Sequence, residues 1–299
     1  MEQQNQEKKL NWYDKHYKLT MILPALLLIF SITYIINFTL QNGDLIYKDV
    51  TLTGGTTITI LDSKTDVEDL KNTLKSEFPD INIRRISDLR TGSQKGFFVE
   101  TQSESDQIKT SLEKYLGYTL NQENSSVEFS GAALSTGFYK QLRWAIALAF
   151  IFMAIVVFLI FRTFVPSFAV ILSAFADIIM TVLTVDLFGM RISLAGIIAF
   201  LMLIGYSVDT DILLTSRLLK RGEDSMNKAI YDAFKTGITM TLTAIAAVGT
   251  SLVIIYSSSE VLRQIFTVIL IGLGYDIINT WMANAPILRW YLEYKEAKK

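Results

Sequence analysis

The sequence predicts a polytopic α-helical membrane protein that carries one α+β domain between its first two transmembrane helices. Of its 299 residues, 51% are hydrophobic and only 19% are charged, and the apolar residues are clustered in long runs. Runs of about 18 or more apolar residues are typical of transmembrane helices, because a bilayer core of about 30 Å needs about 20 helical residues. The polar segment 41–142 separates the first run from the second and has the residue pattern of a folded domain.

Six apolar runs are long enough to cross a bilayer. The polar tail 1–18 precedes the first run without a small-residue cleavage site after it, so we interpret this run as an uncleaved anchor rather than a signal peptide. A second tail, 289–299, follows the last run. The six predicted spans are 19–40, 143–162, 166–187, 192–216, 237–256 and 264–288.

Lysine and arginine residues predict the orientation of these spans. They are concentrated in both tails and in the connection 217–236, whereas the short connections on the other side contain Arg191 and Arg263. By the positive-inside rule, both termini are predicted to be cytoplasmic and the domain 41–142 extracellular, with the chain in the cell membrane. The connection 217–236 is either a solvated basic loop or a short amphipathic helix on the membrane surface.

The domain 41–142 shows four strand patterns and two amphipathic helix patterns. Their order, β-α-β-β-α-β, is typical of a ferredoxin-like fold. Gly54 and Gly55 precede the first strand and supply the backbone freedom of a tight turn. The predicted strands are 56–62, 81–89, 96–102 and 125–131, and the predicted helices are 66–78 and 104–116.

Several classes of function lack the residues that they need. The chain has no cysteine and one histidine, His16, which excludes thiol catalysis and disulfides and argues against a metal site built on cysteine or histidine. A net charge of −1 gives no overall attraction for nucleic acid. No pairing of a nucleophile with a base is recognisable. We therefore predict no enzymatic activity, no cofactor, no metal and no nucleic-acid partner.

Four aspartates lie within the predicted spans: Asp177, Asp209, Asp211 and Asp276. A charged aspartate near the centre of a membrane helix costs about 2.5–3.5 kcal/mol on insertion scales, so such residues usually face a bundle interior or a hydrated cavity. Asp177 and Asp276 are predicted near the midplane, and Asp209 and Asp211 nearer the cytoplasmic end. Asp177 either binds a proton or makes an interhelical hydrogen bond. For Asp276, which has Asn279 one turn later, we favour an interhelical hydrogen bond.

The stretch around Asp209 and Asp211 contains further polar residues. We interpret Gly205, Tyr206 and Ser207 as a break in the fourth helix. Asp209 and Asp211 point about 200° apart on a helix, whereas Asp209 and Arg217 lie on roughly one side. We expect Asp209 to face a polar groove shared with another helix bundle, and Asp211 to pack within its own bundle or to meet interfacial water. Alternatively, both acids only cap the helix or extend to the membrane surface.

Four features of the sequence resemble one family across nearly the whole chain. They are DVTLTGGTTITI at 49–60, SGAALSTGFYKQ at 130–141, Asp177 in the third span, and IGYSVDTDILLTSR at 204–217. With one outer domain followed by five clustered spans, the chain is similar to the SecD/SecF family of protein-export membrane proteins, within the resistance-nodulation-division superfamily, and to its archaeal SecF type in particular.

This resemblance implies partners and a mechanism. A SecF-type chain pairs with SecD and assists a SecYEG-type translocon in moving a translocating polypeptide across the lipid bilayer, with proton flow through intramembrane acids. The resemblance assigns Asp209 or Asp211 as the acid of the fourth span and Arg217 as the arginine at its end. Bacterial members have an acid directly before that arginine, where this chain has Ser216. On this reading, Asp209→Asn should abolish pH-dependent stimulation of export and leave assembly intact.

Three other functions stay open at this stage. The chain could be a stand-alone transporter of lipids or small solutes that acts as a homodimer, although only one outer domain lies between its spans. A membrane enzyme is disfavoured by the missing nucleophile and base. A purely structural scaffold would be favoured if export were normal after replacement of every buried aspartate by asparagine.

Overall fold

The computed structural model describes residues 12–88, 91–222, 225–256 and 259–298, so residues 1–11 of the predicted tail lie outside the described residues. Six helices within these ranges are long and apolar enough to cross a membrane, which confirms the predicted number of spans. The helices are α1 Trp12–Thr20, α2 Ile22–Asn42, α3 Val50–Thr53, α4 Val67–Leu74, α5 Ser105–Leu116, α6 Ala132–Phe161, α7 Phe164–Leu187, α8 Leu194–Leu219, α9 Met226–Ile255, α10 Glu260–Asn279 and α11 Ala285–Ala297, with a π-helical segment Thr280–Asn284 joining the last two.

The small domain has the predicted ferredoxin-like topology. Its four strands are β1 Gly55–Ile60, β2 Asn82–Ser87, β3 Gln94–Thr101 and β4 Ser125–Ser130. They form one antiparallel sheet in the order β2-β3-β1-β4. Helices α4 and α5 pack on one face of the sheet through a core that includes Ile58, Phe97 and Leu112, each almost fully buried. Alternation along the strands placed these side chains on the core face, because successive residues of a strand point to opposite faces.

Two predictions about the helices are wrong. Helix α8 runs unbroken from Leu194 to Leu219, so Gly205, Tyr206 and Ser207 do not break it. Glycine and serine lower helix propensity only modestly, and the packing of this helix against its neighbours outweighs that cost. Helix α9 begins at Met226, where the Ser225 hydroxyl accepts a hydrogen bond from the Lys228 N–H. Residues 226–236 are therefore the first turns of α9 and neither a solvated loop nor a separate surface helix.

Helix ends also differ from the predicted span limits. Helix α6 begins at Ala132, inside the segment 41–142 that was assigned to the domain, and the last helix reaches Ala297 beyond residue 288. Hydropathy locates the apolar part of a helix, whereas a helix continues past the apolar part as long as its backbone hydrogen bonds are made. The bundle thus has a domain end, next to the sheet, and a terminus end, where α1 contacts α11.

Small residues let the helices approach closely. A Cβ atom at Gly237 would lie 2.6 Å from the Trp281 ring, and one at Gly272 would lie 2.2 Å from the Leu203 side chain. Such contacts are typical of membrane helices, whose association depends on close packing rather than on exclusion of water. They bring α8, α9 and α10 together around the polar centre described below.

The domain is fixed to the bundle by backbone pairing. The Asp49 N–H donates to the Ile192 carbonyl at 3.0 Å, and the Ile192 N–H donates to the Tyr47 carbonyl at 2.7 Å. The Leu194 N–H, at the start of α8, donates to the Thr51 hydroxyl at 3.1 Å. The segment before β1 is therefore joined to the connection between α7 and α8.

A network of charged side chains adds a second attachment. Arg84 on β2 binds Glu100 on β3 and also Glu260 at the start of α10, the latter at 2.8 Å. Arg263 binds the other oxygen of Glu260. Glu100 is only 1% exposed, and Asn82 donates to it at 2.9 Å. Since buried charges need such partners, this network couples the position of the domain to that of α10.

We expect Arg84→Ala to lower the stability of the protein by about 2 kcal/mol, because it leaves the Glu100 carboxylate buried without its main partner. Thermal unfolding in detergent would measure the loss. Arg85→Ala is the matched control, since Arg85 is the next residue of β2 and is exposed. The double variant Arg84→Ala/Glu100→Gln should recover part of the loss, and an equal loss in the double variant would show that the charge is not the cause.

Asp49 predicts a pH dependence outside the membrane. Burial, and after it the nearby Glu100 carboxylate, together raise the pKa of Asp49 from 3.8 to about 6, although the hydrogen bond from the Thr51 N–H acts in the opposite direction. Between about pH 4 and pH 6 the folded protein therefore binds more protons than the unfolded chain, so stability falls as pH rises through this range. Asp49→Asn should remove this fall and be more stable than the parent above pH 6, by about 2–3 kcal/mol.

An asparagine at position 49 can still accept the hydrogen bond from the Thr51 N–H, because asparagine side chains also cap helices in this way. Thermal unfolding of both proteins from pH 4 to pH 8 would check the prediction. The exposed Asp106 provides a control substitution, Asp106→Asn. Parallel curves for the Asp49→Asn variant and its parent across the whole range would contradict it.

Candidate functional site: a buried carboxyl cluster

Three of the four aspartates that lie within the predicted spans come together inside the bundle. Asp177 of α7, Asp211 of α8 and Asp276 of α10 are all fully buried, and their carboxyl groups lie close enough to interact electrostatically. Each acid comes from a different helix, so no two of them are neighbours in the sequence. We call this group the carboxyl cluster.

Asp177 is held by side chains from two other helices. The Ser207 hydroxyl of α8 donates to one carboxyl oxygen. The Asn279 amide, at the end of α10, donates to the other oxygen at 2.6 Å. The interhelical hydrogen bond expected of Asp177 is therefore present, and Ser207 contributes it from an intact helical turn rather than from a break.

Asp211 is bound by the π-helical segment. The Thr280 hydroxyl donates to its Oδ1 at 2.9 Å, and the Asn284 amide donates to the same oxygen at 2.7 Å. In a regular α-helix each i→i+4 step turns the side chain by about 40°, so Asp276, Thr280 and Asn284 would drift away from one face. The wider π turn offsets this drift, and such segments are frequent at functional sites.

Thr280 links two of the acids. Its hydroxyl lies 2.9 Å from Asp211 Oδ1 and 3.2 Å from Asp276 Oδ1. A hydroxyl has one proton to donate, so both contacts are full hydrogen bonds only when one of the two carboxyls is itself protonated and donates in return. The Thr241 hydroxyl of α9 also donates to Asp276, to its Oδ2 at 3.4 Å.

Among the residues that the structure describes, no lysine or arginine forms an ion pair with the cluster. Ionised carboxylates without a counter-ion are strongly disfavoured in a dry interior, whereas protonated ones are tolerated. The arrangement is therefore suited to binding and releasing a proton, with the Thr280 hydroxyl as a shared partner.

The remaining sequence candidates lie apart from the cluster. Asp209 is exposed on the outer face of α8, as are Gly205 and Tyr206. Arg217 donates to the Asp232 carbonyl of α9 at 2.7 Å rather than to Asp209. The opposite directions expected for Asp209 and Asp211 agree with this arrangement, in which Asp211 packs within its own bundle.

Sequence reasoning missed Thr280 and Asn284. The signal was present as NTWMAN at 279–284, where three polar side chains interrupt the last span. Polar residues there are costly unless they have partners, so their clustering in an apolar run could have marked them. Their register against Asp211 depends on the π-helical turn, which no residue pattern in the segment indicates.

Comparison with known proteins agrees with this architecture. The family described as "Protein export membrane protein SecD/SecF, C-terminal" matches residues 108–294, which include the whole carboxyl cluster. The chain belongs to the SecD/SecF family. The proteins named "Protein-export membrane protein SecF" from Methanocaldococcus jannaschii and Methanothermobacter thermautotrophicus are 40% and 38% identical to it. These alignments cover 95% of this chain and 99% of the first relative, and 94% of both chains for the second.

A solved structure shares the fold of this SecD/SecF chain. SecDF from Thermus thermophilus, described as a translocon-associated membrane protein, aligns with a TM-score of 0.75 and 17% identity over 96% of this chain. The alignment covers 39% of the SecDF chain, so this chain spans less than half of the length of that protein. The resemblance to the family inferred from the sequence is confirmed.

Proposed function

We propose that this SecD/SecF chain is a non-enzymatic subunit that pairs with SecD and assists a SecYEG-type translocon in moving polypeptides across the cell membrane. Proton binding by the carboxyl cluster is coupled to this assistance. The observation that carries the proposal is the meeting of three fully buried carboxyls that have hydrogen-bond donors but, in the described part of the chain, no basic partner. The relatives, which are named as protein-export membrane proteins, support the part of the proposal that concerns protein export.

A change of protonation would act on helix packing. When Asp211 and Asp276 exchange a proton, the single hydroxyl proton of Thr280 favours whichever carboxyl is ionised. The helices that carry these groups are α8 and α10, and α10 begins at Glu260, which binds Arg84 of the domain. A shift of α10 therefore moves the domain through this charged contact. In this way a local change of protonation alters which of two arrangements of the protein is favoured.

The outer face of α8 is the proposed surface for SecD. Ile198, Met202 and Tyr206 are each more than 40% exposed and lie with Asp209 on one stripe of the helix. An aspartate that faced lipid on this stripe would be costly, whereas a partner bundle with polar groups would accommodate it. Asp209 thus retains its expected place in a groove between bundles, and the proton-binding role falls on the buried acids.

The proposed orientation follows the charges. The terminus end carries Lys220, Arg221 and Lys235 beside the two chain tails, and the positive-inside rule places such a surface in the cytoplasm. The domain is then extracellular, where it can meet a polypeptide that leaves the translocon.

Purification from native membranes in mild detergent would test the proposed partner. A second six-span protein in equal amount is expected, and a homodimer without it would favour the stand-alone transporter. Tyr206→Ala should reduce the amount of the second protein that is recovered. Leu26→Ala is the matched control, because Leu26 is 61% exposed on α2, away from the stripe. Equal recovery with both variants would contradict the proposed surface.

A further inference from the structure

A basic cavity lies at the terminus end, between the last turns of α8 and the first turns of α9. Its volume is about 310 Å³. Residues at i, i+3 and i+4 of a helix share one face, so Arg217, Lys220 and Arg221 converge on the same space, where like charges repel one another. The cavity is lined by Ser216, Arg217, Lys220, Arg221, Ala229 and Asp232.

Contacts within the protein use only part of this positive charge. The Arg217 Nη1 donates to the Asp232 main-chain carbonyl at 2.7 Å and so joins α8 to α9. Arg221 forms an ion pair with Glu296 of α11. When the carboxylates of Asp232 and Glu296 are set against the three cations, these described residues still carry a net positive charge.

Several hydrogen-bond donors on the cavity wall are unused. Among the described residues, the Lys220 ammonium and the Ser216 hydroxyl have no partner, and Arg217 has N–H groups beyond the one that binds the Asp232 carbonyl. Guanidinium and ammonium groups make strong charge-assisted hydrogen bonds to phosphate oxygens. The free donors therefore suit an anion that has several acceptor oxygens.

The cavity lies at the depth of lipid headgroups. Lys220 is four residues beyond the predicted span 192–216, and Asp232 is five residues before the predicted span 237–256. These separations correspond to about 6–8 Å along each helix. The headgroup layer extends about 5–8 Å beyond the hydrocarbon core. Headgroup phosphates lie on both surfaces of a membrane, so the cavity meets this layer in either orientation of the chain.

We propose that this cavity binds a phosphate group at the membrane surface, with Arg217, Lys220 and Ser216 as its donors. The two sources are the phosphodiester of an anionic lipid headgroup and inorganic phosphate. A phosphodiester carries a single negative charge, which the net charge of the cavity can neutralise. The stripe of α8 proposed to face SecD ends at Asp209, two turns before Ser216, so both surfaces can be occupied at once.

Native mass spectrometry of the purified full chain would count bound lipid during titration with phosphatidylglycerol. Lys220→Gln should weaken this binding about tenfold, because it removes a charge-assisted hydrogen bond. Lys235→Gln is the matched control, since it removes the same charge from an exposed position at the same end, outside the cavity. Any lysine near a membrane attracts anionic lipid to some extent, and we expect the control to change binding less than about twofold.

Asp232→Asn tests the site in the opposite direction. It removes the carboxylate from the cavity and leaves the main-chain carbonyl that Arg217 binds. Binding of phosphatidylglycerol should become about threefold tighter or more, because a like charge no longer faces the phosphate.

Inorganic phosphate distinguishes the two sources. Displacement of the lipid by an equal concentration of inorganic phosphate would identify free phosphate as the ligand, whereas retention of the lipid would identify the headgroup. Equal affinities of the Lys220→Gln and Lys235→Gln proteins would overturn the proposal, since binding would then reflect only the general charge of the surface. Unchanged or weaker binding in Asp232→Asn would also overturn it.

Discussion

Asp211→Asn is expected to abolish pH-dependent stimulation of export while the protein still assembles in the membrane. Asparagine has nearly the shape of aspartate and can still accept from Thr280 and Asn284, but it cannot bind or release a proton. Because the variant removes a buried group that would carry an uncompensated charge when ionised, its stability should be equal to or above that of the parent. Translocation of a secreted reporter into membrane vesicles at several imposed pH gradients would measure the effect.

Asp209→Asn is the matched control for this experiment. It is the same substitution two residues earlier on the same helix, at an exposed position. The sequence alone favoured Asp209 as the proton-binding acid, so the two variants decide between the sequence-based expectation and the proposal drawn from the structure. Loss of the pH dependence in Asp209→Asn, together with its retention in Asp211→Asn, would reject the role of the carboxyl cluster.

Gly55→Ala is expected to cost about 3–5 kcal/mol of stability, because strain of the backbone and overlap of atoms add. Gly55 has φ +134°, a conformation that residues with a Cβ atom rarely adopt. A Cβ there would lie 2.3 Å from the Thr101 carbonyl oxygen and 2.8 Å from the Gln102 Cα. Both are backbone atoms of the neighbouring strand and its end, so no side chain can move aside to relieve the overlap.

Thermal unfolding in detergent, with the amount of protein inserted in the membrane as a second readout, would measure this loss. Gly131→Ala is the control, since a Cβ at Gly131 meets no atom within 4 Å and its φ is −67°. A change of less than about 1 kcal/mol in Gly55→Ala would show that the strand ends can separate to admit the methyl group.

The domain fold was predictable because its signals are local. Alternation of apolar residues in TTITILD, at 56–62, identified β1, and the Gly54-Gly55 pair marked the turn that must precede it. The order of strands and helices then limited the topology to a familiar one. Span number followed equally directly from the lengths of the apolar runs.

Helix ends and the supposed break were predicted less well. The residues Gly205, Tyr206 and Ser207 resemble a break when only propensity is considered, yet Ser207 donates to Asp177 from within a regular helix. Helix α9 begins at Met226, within a polar segment, and continues into the predicted span 237–256. In both cases packing against neighbouring helices outweighed a weak local preference.

The sequence by itself determined that this chain crosses a membrane six times, carries a ferredoxin-like domain, and places costly carboxyls within its spans. Length, alternation and residue type encode these properties locally, so they can be read without coordinates. Only the tertiary structure decided that Asp177, Asp211 and Asp276 meet, and that Asp209 lies outside. Their meeting depends on the relative rotation of three helices and on one π-helical turn, which are set by close contacts such as that of Gly272 with Leu203.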